Sequence, residues 1–200
     1  MKEPFAEFVK KELRPNTLLI TCGLPGTWKT ETSQEVSKIK GYPVLRTDLI
    51  RLEVLKNEDI FDEKVASSMV KRELVYNEMF RQAGDIAKKG QGVILDATFV
   101  TQQLRRRAAE IAAKRNMIFV ILQTHCSEEA SIARILRRTK ENYESNALTR
   151  QAYLNNKKRF ESVDLDDLKR MRPQLQIVHL TVDTEYDPPR NWHIIGMEKR

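Results

Sequence analysis

Features that mark secreted, membrane-spanning or metal-binding proteins are scarce in this 200-residue chain. It has only two cysteines, too few for a disulfide framework, and we expect both to be reduced thiols. Its three histidines show no metal-ligand spacing. No apolar run approaches the roughly 18 residues that a membrane span needs, and the first residues contain no apolar signal region. These absences favour a cytoplasmic protein that has no membrane partner.

Charge, by contrast, is abundant. Charged residues make up 32% of the sequence and hydrophobic residues 40%, which is typical of a globular protein, and residues 1–200 fit a single domain. The net charge is +7, and the segment 101–172 alone holds 16 Lys and Arg against 9 Asp and Glu. Such a segment fits a nucleic-acid partner, a polyanionic nucleotide, or simply a solvated helical face.

The strongest local pattern lies between Thr17 and Thr30. An apolar, β-prone run leads into a turn containing glycine and proline, and a polar helical pattern follows. The turn fits the phosphate-binding template G-x-x-x-x-G-K-[ST] at all fixed positions but one. We expect its backbone N–H groups and Lys29 to hold the phosphates of ATP, and the Thr30 hydroxyl to ligate Mg²⁺. The expected nucleotide-binding residues of the loop are Gly23, Leu24, Pro25, Gly26, Thr27, Trp28, Lys29 and Thr30.

Trp28 stands where the template has its last glycine. Its backbone N–H can still donate, but a side chain strains any position that needs a positive φ. Three readings remain open from the sequence: a tolerated variation, a ring that covers the nucleotide, or a weakened site.

Apolar runs alternate with helical patterns along the chain, which predicts an α/β fold with a parallel sheet between two layers of helices. The expected strands are 17–22, 43–47, 93–96, 117–124 and 176–182. Ligands of such sheets bind beyond the carboxyl ends of the strands. The phosphate-binding loop, Asp48 and Asp96 would therefore share one rim. The tail after residue 188 has no pattern that predicts structure.

Three charged side chains at this rim have candidate roles. Asp96 ends an apolar strand across from Thr30 and could hold Mg²⁺, although a helix N-cap is the alternative. Asp48 and Arg51 are three residues apart at a helix start, so they can lie on one face. Asp48 could accept the proton of an attacking hydroxyl, and Arg51 could hold an anionic acceptor group. The alternative for this pair is an N-cap beside a surface arginine.

Further arginines occur downstream. Arg134, Arg137 and Arg138 precede a polar segment and suit a lid in which Arg134 binds the nucleotide and the other two neutralise charge during transfer. A solvated helical face explains them equally well. Residues 105–107 are three consecutive arginines, of which one or two at most can face a substrate.

Taken together, these motifs resemble the P-loop kinases related to polynucleotide kinase, zeta toxin and gluconate kinase. The resemblance extends over residues 17–138, most of the chain. It is carried by Gly23-Leu-Pro-Gly-Thr-Trp-Lys-Thr30, Thr47-Asp-Leu-Ile-Arg51, Val75-Tyr-Asn-Glu-Met-Phe80, Gly92-Val-Ile-Leu-Asp-Ala-Thr-Phe99 and Arg134-Ile-Leu-Arg-Arg138.

The resemblance implies a five-stranded parallel sheet of order 2-3-1-4-5, with a small helical lid at about 139–160. It also implies Mg²⁺- and ATP-dependent transfer to a hydroxyl. The implied catalytic residues include Asp48 as base and Arg51 as substrate-binding arginine. Asp96, Thr98 and Arg105 would also contact the substrate.

The hypothesis that follows is a kinase that moves the γ-phosphoryl group of ATP to an acceptor hydroxyl. The basic segment slightly favours a polynucleotide 5′-hydroxyl over a small sugar or nucleoside. The alternatives are an ATPase or sensor with a weakened phosphate-binding loop, and a nucleic-acid-binding protein. The sequence predicts no oligomeric state.

Overall fold

The computed structural model describes residues 2–139, 147–187 and 189–200. Its α-helices are α1 (Phe5–Glu12), α2 (Lys29–Lys40), α3 (Thr47–Val54), α4 (Glu63–Ser67), α5 (Met69–Ala87), α6 (Gln102–Lys114), α7 (Glu128–Leu136), α8 (Arg150–Arg159) and α9 (Leu165–Met171). Its strands are β1 (Glu3–Pro4), β2 (Thr17–Cys22), β3 (Val44–Arg46), β4 (Val93–Asp96), β5 (Ile118–His125), β6 (Ile177–Asp183) and β7 (His193–Lys199). None of the described helices is both long and apolar enough to cross a membrane.

The strands form one mixed sheet of order β1-β7-β6-β5-β2-β4-β3. The strands β3, β4, β2, β5 and β6 are parallel neighbours, whereas β7 runs antiparallel to β6 and β1 antiparallel to β7. The expectation of a five-stranded parallel sheet is therefore wrong, because the tail and the N-terminus add an antiparallel edge. Strand β7 has a single buried residue, Ile194, and its other large apolar side chains, Ile195 and Met197, are exposed. The sequence of this strand therefore shows no regular alternation that would have predicted it.

Both faces of the sheet are buried. Successive side chains of a strand point to opposite faces, so Leu18 and Ile20 of β2 pack into one apolar cluster and Leu19 into the other. Helices α5 and α6 cover the first cluster, and α1 and α2 contribute to the second. With helices on both faces, β2 is a buried central strand. The loop that follows it lies at the edge of the sheet formed by the carboxyl ends of the parallel strands.

The expected lid at 139–160 is described only in part, because residues 140–146 lie outside the described residues. Within the rest, Thr149 caps α8 by accepting a hydrogen bond from the Ala152 N–H at 3.1 Å. An ion pair of 2.7 Å between Lys157 and Glu128 joins α8 to α7. The two helices thus pack beside the carboxyl rim of the sheet.

Candidate active site

The loop between β2 and α2 turns through two glycines with positive φ, Gly23 at 140° and Gly26 at 81°. A Cβ at Gly26 would overlap the backbone carbonyl of Ser131, so only glycine lets the loop pack this closely against α7. The side chain of Trp28, the N-cap residue of α2, makes no capping hydrogen bond. The N–H groups of a first helical turn are the donors that an anion can use.

Side chains from two strands hold the loop in shape. The hydroxyls of Thr27 and Thr124 are 2.6 Å apart, and the Thr184 hydroxyl donates to the Thr27 carbonyl at 3.0 Å. Sequence reasoning missed Thr124 and Thr184. Both are polar residues at the carboxyl ends of β5 and β6, and these strands end beside the loop. This position in the sequence could have indicated that their side chains contact the loop.

Asp96 lies directly against the loop. The Thr30 hydroxyl donates to Asp96 Oδ2 at 2.8 Å, and the buried Thr21 hydroxyl donates to Asp96 Oδ1 at 3.1 Å. Arg46, which pairs with Asp96 across β3 and β4, places its Nε 3.6 Å from Oδ2. Sequence reasoning missed Arg46, although the pairing of parallel strands could have revealed it. Helix α6, which follows β4, begins at Gln102 and is capped by Thr101, so Asp96 is not its N-cap. The metal role of Asp96 stays a prediction.

The adjacent oxygens of Thr30 and Asp96 suit Mg²⁺, a hard cation that usually keeps several waters and takes few protein ligands. In the described part of the chain, no group of three or more His, Cys, Asp and Glu forms a denser metal cage. The donor set thus fits a cation held jointly with phosphate oxygens.

Lys29 begins α2, and its Nζ donates to the Leu24 carbonyl at 2.6 Å across the loop. Burial is the largest cause that brings the pKa of Lys29 down to about 8, from an ordinary value near 10.5. The charge of Asp96 opposes this shift and that of Arg138 adds to it. A bound triphosphate would stabilise the charged lysine and raise its pKa again.

This linkage predicts that ATP affinity depends on pH. The free protein loses the Lys29 proton above about pH 8, whereas the complex keeps it, so binding takes up a proton in that range. We expect affinity to be constant below pH 8 and to fall by up to about tenfold per pH unit above it. Calorimetric titration between pH 7 and 9.5 measures this, with Lys29→Met as the variant that should lack the slope. A wild-type affinity independent of pH would contradict the assignment.

Asp48 lies in the first turn of α3 at the same rim. Burial is the largest cause that raises the pKa of its carboxyl, and the charge of Asp96 raises it as well. Three cations oppose this rise: Arg46, Arg51 and Lys29. Asp48 therefore lies close enough to Arg51, Lys29 and Asp96 for their charges to act on it.

Trp28 adopts the left-handed conformation, with φ 59° and ψ 34°. Its ring packs against the apolar cluster that contains Val36 and Trp192, and the guanidinium carbon of Arg134 lies 4.8 Å from the ring centroid. The buried Arg134 also donates to the carbonyls of Gly26, at 3.2 Å, and Thr184, at 2.8 Å. Arg134 therefore braces the loop from outside instead of reaching for a nucleotide, and the Trp28 ring has a packing role.

This packing predicts the effect of Trp28→Gly. Glycine relieves a left-handed strain of about 1 kcal/mol, but the half-buried ring and its contact with Arg134 are lost. We expect a net loss of about 2 kcal/mol in the free energy of unfolding. ATP affinity should change by less than about tenfold, because the backbone donors remain. Urea denaturation and ATP titration measure both quantities. A large gain in affinity would instead support the weakened-site reading.

Arg105 does not face the site, so its expected substrate contact is wrong. It is fully buried, and its guanidinium donates to the carbonyls of Phe99, Glu161 and Ser162 at 3.1, 2.7 and 2.9 Å. The side chain thus ties α6 to the segment that precedes α9.

The two remaining arginines of the expected lid differ. Arg138 Nη1 donates to the Ala147 carbonyl at 3.3 Å, and its charge acts on Lys29. Arg137 is the C-cap residue after α7, and its side chain is exposed. Arg138 is therefore the one placed near the phosphate-binding loop.

Thr98 follows the strand that ends at Asp96. Its carbonyl accepts from the Gly23 N–H at 3.3 Å, and its side chain interacts with the half-buried Tyr76. The next residue, Phe99, has a positive φ of 43°. Non-glycine residues in this conformation are uncommon, and they cluster at functional sites.

Comparison with known proteins agrees with this geometry. A gluconokinase from Sinorhizobium meliloti is 16% identical, with a TM-score of 0.59, over 88% of this chain and 87% of that one. A sugar kinase from a Janibacter species is 15% identical, with a TM-score of 0.60, over 88% of each chain. Kti12 from Chaetomium thermophilum, in complex with ADP-AlF3, is 19% identical, with a TM-score of 0.56, over 74% of this chain and 81% of that one. At these identities the likeness concerns the fold.

An uncharacterized protein of Mycobacterium tuberculosis is 27% identical over 135 residues, which is 65% of this chain. The match spans only 27% of that protein's length. A family described as an AAA domain (AAA_33) matches residues 18–163, a span that includes the phosphate-binding loop, Asp48 and Asp96. The chain therefore belongs to this AAA domain family, and its fold is the one shared by the P-loop kinases.

Proposed function

We propose that this protein is an ATP-dependent phosphotransferase that moves the γ-phosphoryl group to an acceptor hydroxyl. The observation that carries the proposal is the 2.8 Å hydrogen bond from the Thr30 hydroxyl to Asp96 Oδ2, which joins the phosphate-binding loop to a metal-site carboxylate. Lys29 and Asp48 lie near enough to Asp96 for their charges to interact with it. The gluconokinase and sugar-kinase folds support the same reaction class.

The roles follow from position and charge. The N–H groups of the loop and Lys29 would hold the phosphates, and Thr30 and Asp96 would hold Mg²⁺, which would neutralise phosphate charge. Asp48 accepts the proton of the acceptor hydroxyl. The hydroxyl oxygen then forms a bond to the γ-phosphorus, while the bond between the γ-phosphorus and the leaving oxygen of ADP breaks. Arg138 offsets charge on the transferring group. Catalysis of this kind works through positioning and electrostatics.

A small molecule fits the charge distribution of the protein better as the acceptor than a polynucleotide does. Several cations of the basic segment are paired within the chain: Arg105 is buried, Arg106 binds Asp167, Lys157 binds Glu128 and Arg172 binds Glu110. These pairs leave fewer free cations for a phosphate backbone. A small sugar, sugar acid or nucleoside is therefore our first choice, and a polynucleotide 5′-hydroxyl is the second.

The test is an assay of transfer from γ-labelled ATP with Mg²⁺. The acceptor panel contains sugars, sugar acids, nucleosides and a 5′-hydroxyl oligonucleotide, and a reaction without acceptor measures hydrolysis. We expect the rate of label transfer to one acceptor class to be well above the rate of ATP hydrolysis without acceptor. Label released only as phosphate would establish an ATPase, and binding without turnover would favour a sensor.

A further inference from the structure

A cavity of about 260 Å³ lies at the end of the sheet opposite to the phosphate-binding loop. Its lining includes the first residues of three parallel strands: Thr17 of β2, Ile118 of β5 and Ile177 of β6. The phosphate-binding loop follows the last residue of β2, so the length of this strand separates the loop from the cavity. The cavity is therefore distinct from the candidate active site.

The floor of the cavity is a face of the sheet that α1 covers only in part. Residues directly opposite each other on paired strands share a face. Val120 of β5 lies opposite Val178 of β6, which in turn lies opposite Lys199 of β7. This row runs from a buried valine through a half-buried one to an exposed lysine. In the next row, the buried Leu180 lies opposite the exposed Met197. The cavity therefore has an apolar floor that opens to solvent beside β7.

Charged side chains also line the cavity, namely Glu12, Arg14, Lys199 and Arg200. The Arg200 Nε lies 2.6 Å from Asp166 Oδ1, so this cation is neutralised within the chain. Arg14 and Lys199 are exposed, and neither side chain forms an ion pair or a hydrogen bond with another described residue. Glu12 balances one of these two cations, which leaves the lining with one net positive charge. The cavity therefore complements a ligand that carries a single negative charge.

We propose that this cavity binds a small apolar carboxylate, whose hydrocarbon body lies against the sheet and whose carboxylate contacts Arg14 and Lys199. Burial of the hydrocarbon body supplies most of the attraction, and the two cations select the charged end. An apolar cavity of about 150 Å³ holds benzene, and by the same proportion this one holds roughly ten non-hydrogen atoms. Octanoate, a medium-chain fatty acid, has this size and charge.

The cavity is tested by titrating octanoate, without nucleotide, into protein that carries carbon-13 in its methionine methyl groups. Met197 lines the cavity, and its NMR signal is identified by its loss in Met197→Leu. We expect this signal to shift in a saturable way. Met69 serves as the internal control, because it is exposed at the start of α5 and lies outside the cavity lining. Its signal should not move.

Two variants test the charged end of the site. Arg14→Gln and Lys199→Gln should each weaken octanoate binding by about threefold to tenfold, because a contact between opposite charges is lost. The matched control is Lys11→Gln, which removes the same charge from an exposed position of α1 outside the cavity lining. Octan-1-ol has the same chain without the charge. It should bind more weakly than octanoate, and Lys199→Gln should not change its affinity.

The proposal is overturned if the Met197 signal shows no saturable response, or if octanoate binds both charge variants as tightly as the wild type. A Met197 signal that moves with protein concentration instead of octanoate would assign the cavity to a second copy of the chain. Tighter binding of octyl phosphate than of octanoate would contradict the single negative charge. No nucleotide is present, so a negative result in the transfer assay would leave this measurement unaffected.

Discussion

Replacing Asp48 with asparagine should lower the transfer rate by about a hundredfold to ten-thousandfold, the usual contribution of a general base. Asparagine keeps the size of the side chain but cannot accept the acceptor's proton. ATP binding should remain within a few fold of wild type, because the contacts to phosphate come from the loop and Lys29. Steady-state transfer kinetics and ATP titration measure the two effects separately.

The matched control is Glu53→Gln, which removes an exposed carboxylate from the same helix. It should leave the transfer rate unchanged. The pH profile adds a second check: burial and Asp96 raise the pKa of Asp48, so the base is lost on acidification at a higher pH than for an ordinary aspartate. Full turnover in Asp48→Asn would remove Asp48 from the reaction.

Arg105→Met should destabilise the protein by about 3 kcal/mol or more, because it leaves buried carbonyl groups without a donor. Those carbonyls belong to Phe99, Glu161 and Ser162. For a chain of this size that corresponds to a loss of roughly 6–12 °C in Tm. The acceptor KM of the folded variant should stay at the wild-type value, since the side chain does not reach the site.

Arg106→Met provides the comparison for this variant. Arg106 is the next residue of α6, but it is 49% exposed and pairs with Asp167 at the surface. Its loss should cost about 1 kcal/mol or less. An Arg105→Met protein with wild-type stability and a raised acceptor KM would instead restore the substrate-binding role expected from the sequence.

The sequence predicted the site best where chemistry restricts the residue type. A strand, a turn rich in glycine and a Lys-Thr pair together identify a phosphate-binding loop. Asp96 is the last residue of β4, and parallel pairing places β4 beside β2, the strand that leads into the loop. Their proximity is seen in the contact between Thr30 and Asp96. The two free cysteines, Cys22 and Cys126, were also expected.

Prediction failed where one sequence pattern is compatible with several positions of a side chain in the fold. Three consecutive arginines look alike in sequence, and only the packing of α6 selects Arg105 for the interior. A signal was present: Ala108, Ala109 and Ala112 follow Arg105 at helical spacing and are all fully buried, so they mark the inward face. Strand β7 had no comparable signal. Likewise, the glycine of the template indicated that residue 28 could need a positive φ, but the sequence could not show where the Trp28 ring packs.

The central claim is that the loop from Gly23 to Thr30 binds ATP together with Mg²⁺, and calorimetric titration of ATP tests it most directly. We predict micromolar affinity in the wild type with Mg²⁺ present, and a loss of about a hundredfold in Lys29→Met, because a charge-assisted contact to the phosphates is removed. Omitting Mg²⁺ should weaken binding to the wild type, and Asp96→Asn should reduce that dependence on Mg²⁺. ATP that binds equally well to Lys29→Met, or does not bind the wild type at all, would contradict the assignment of this loop.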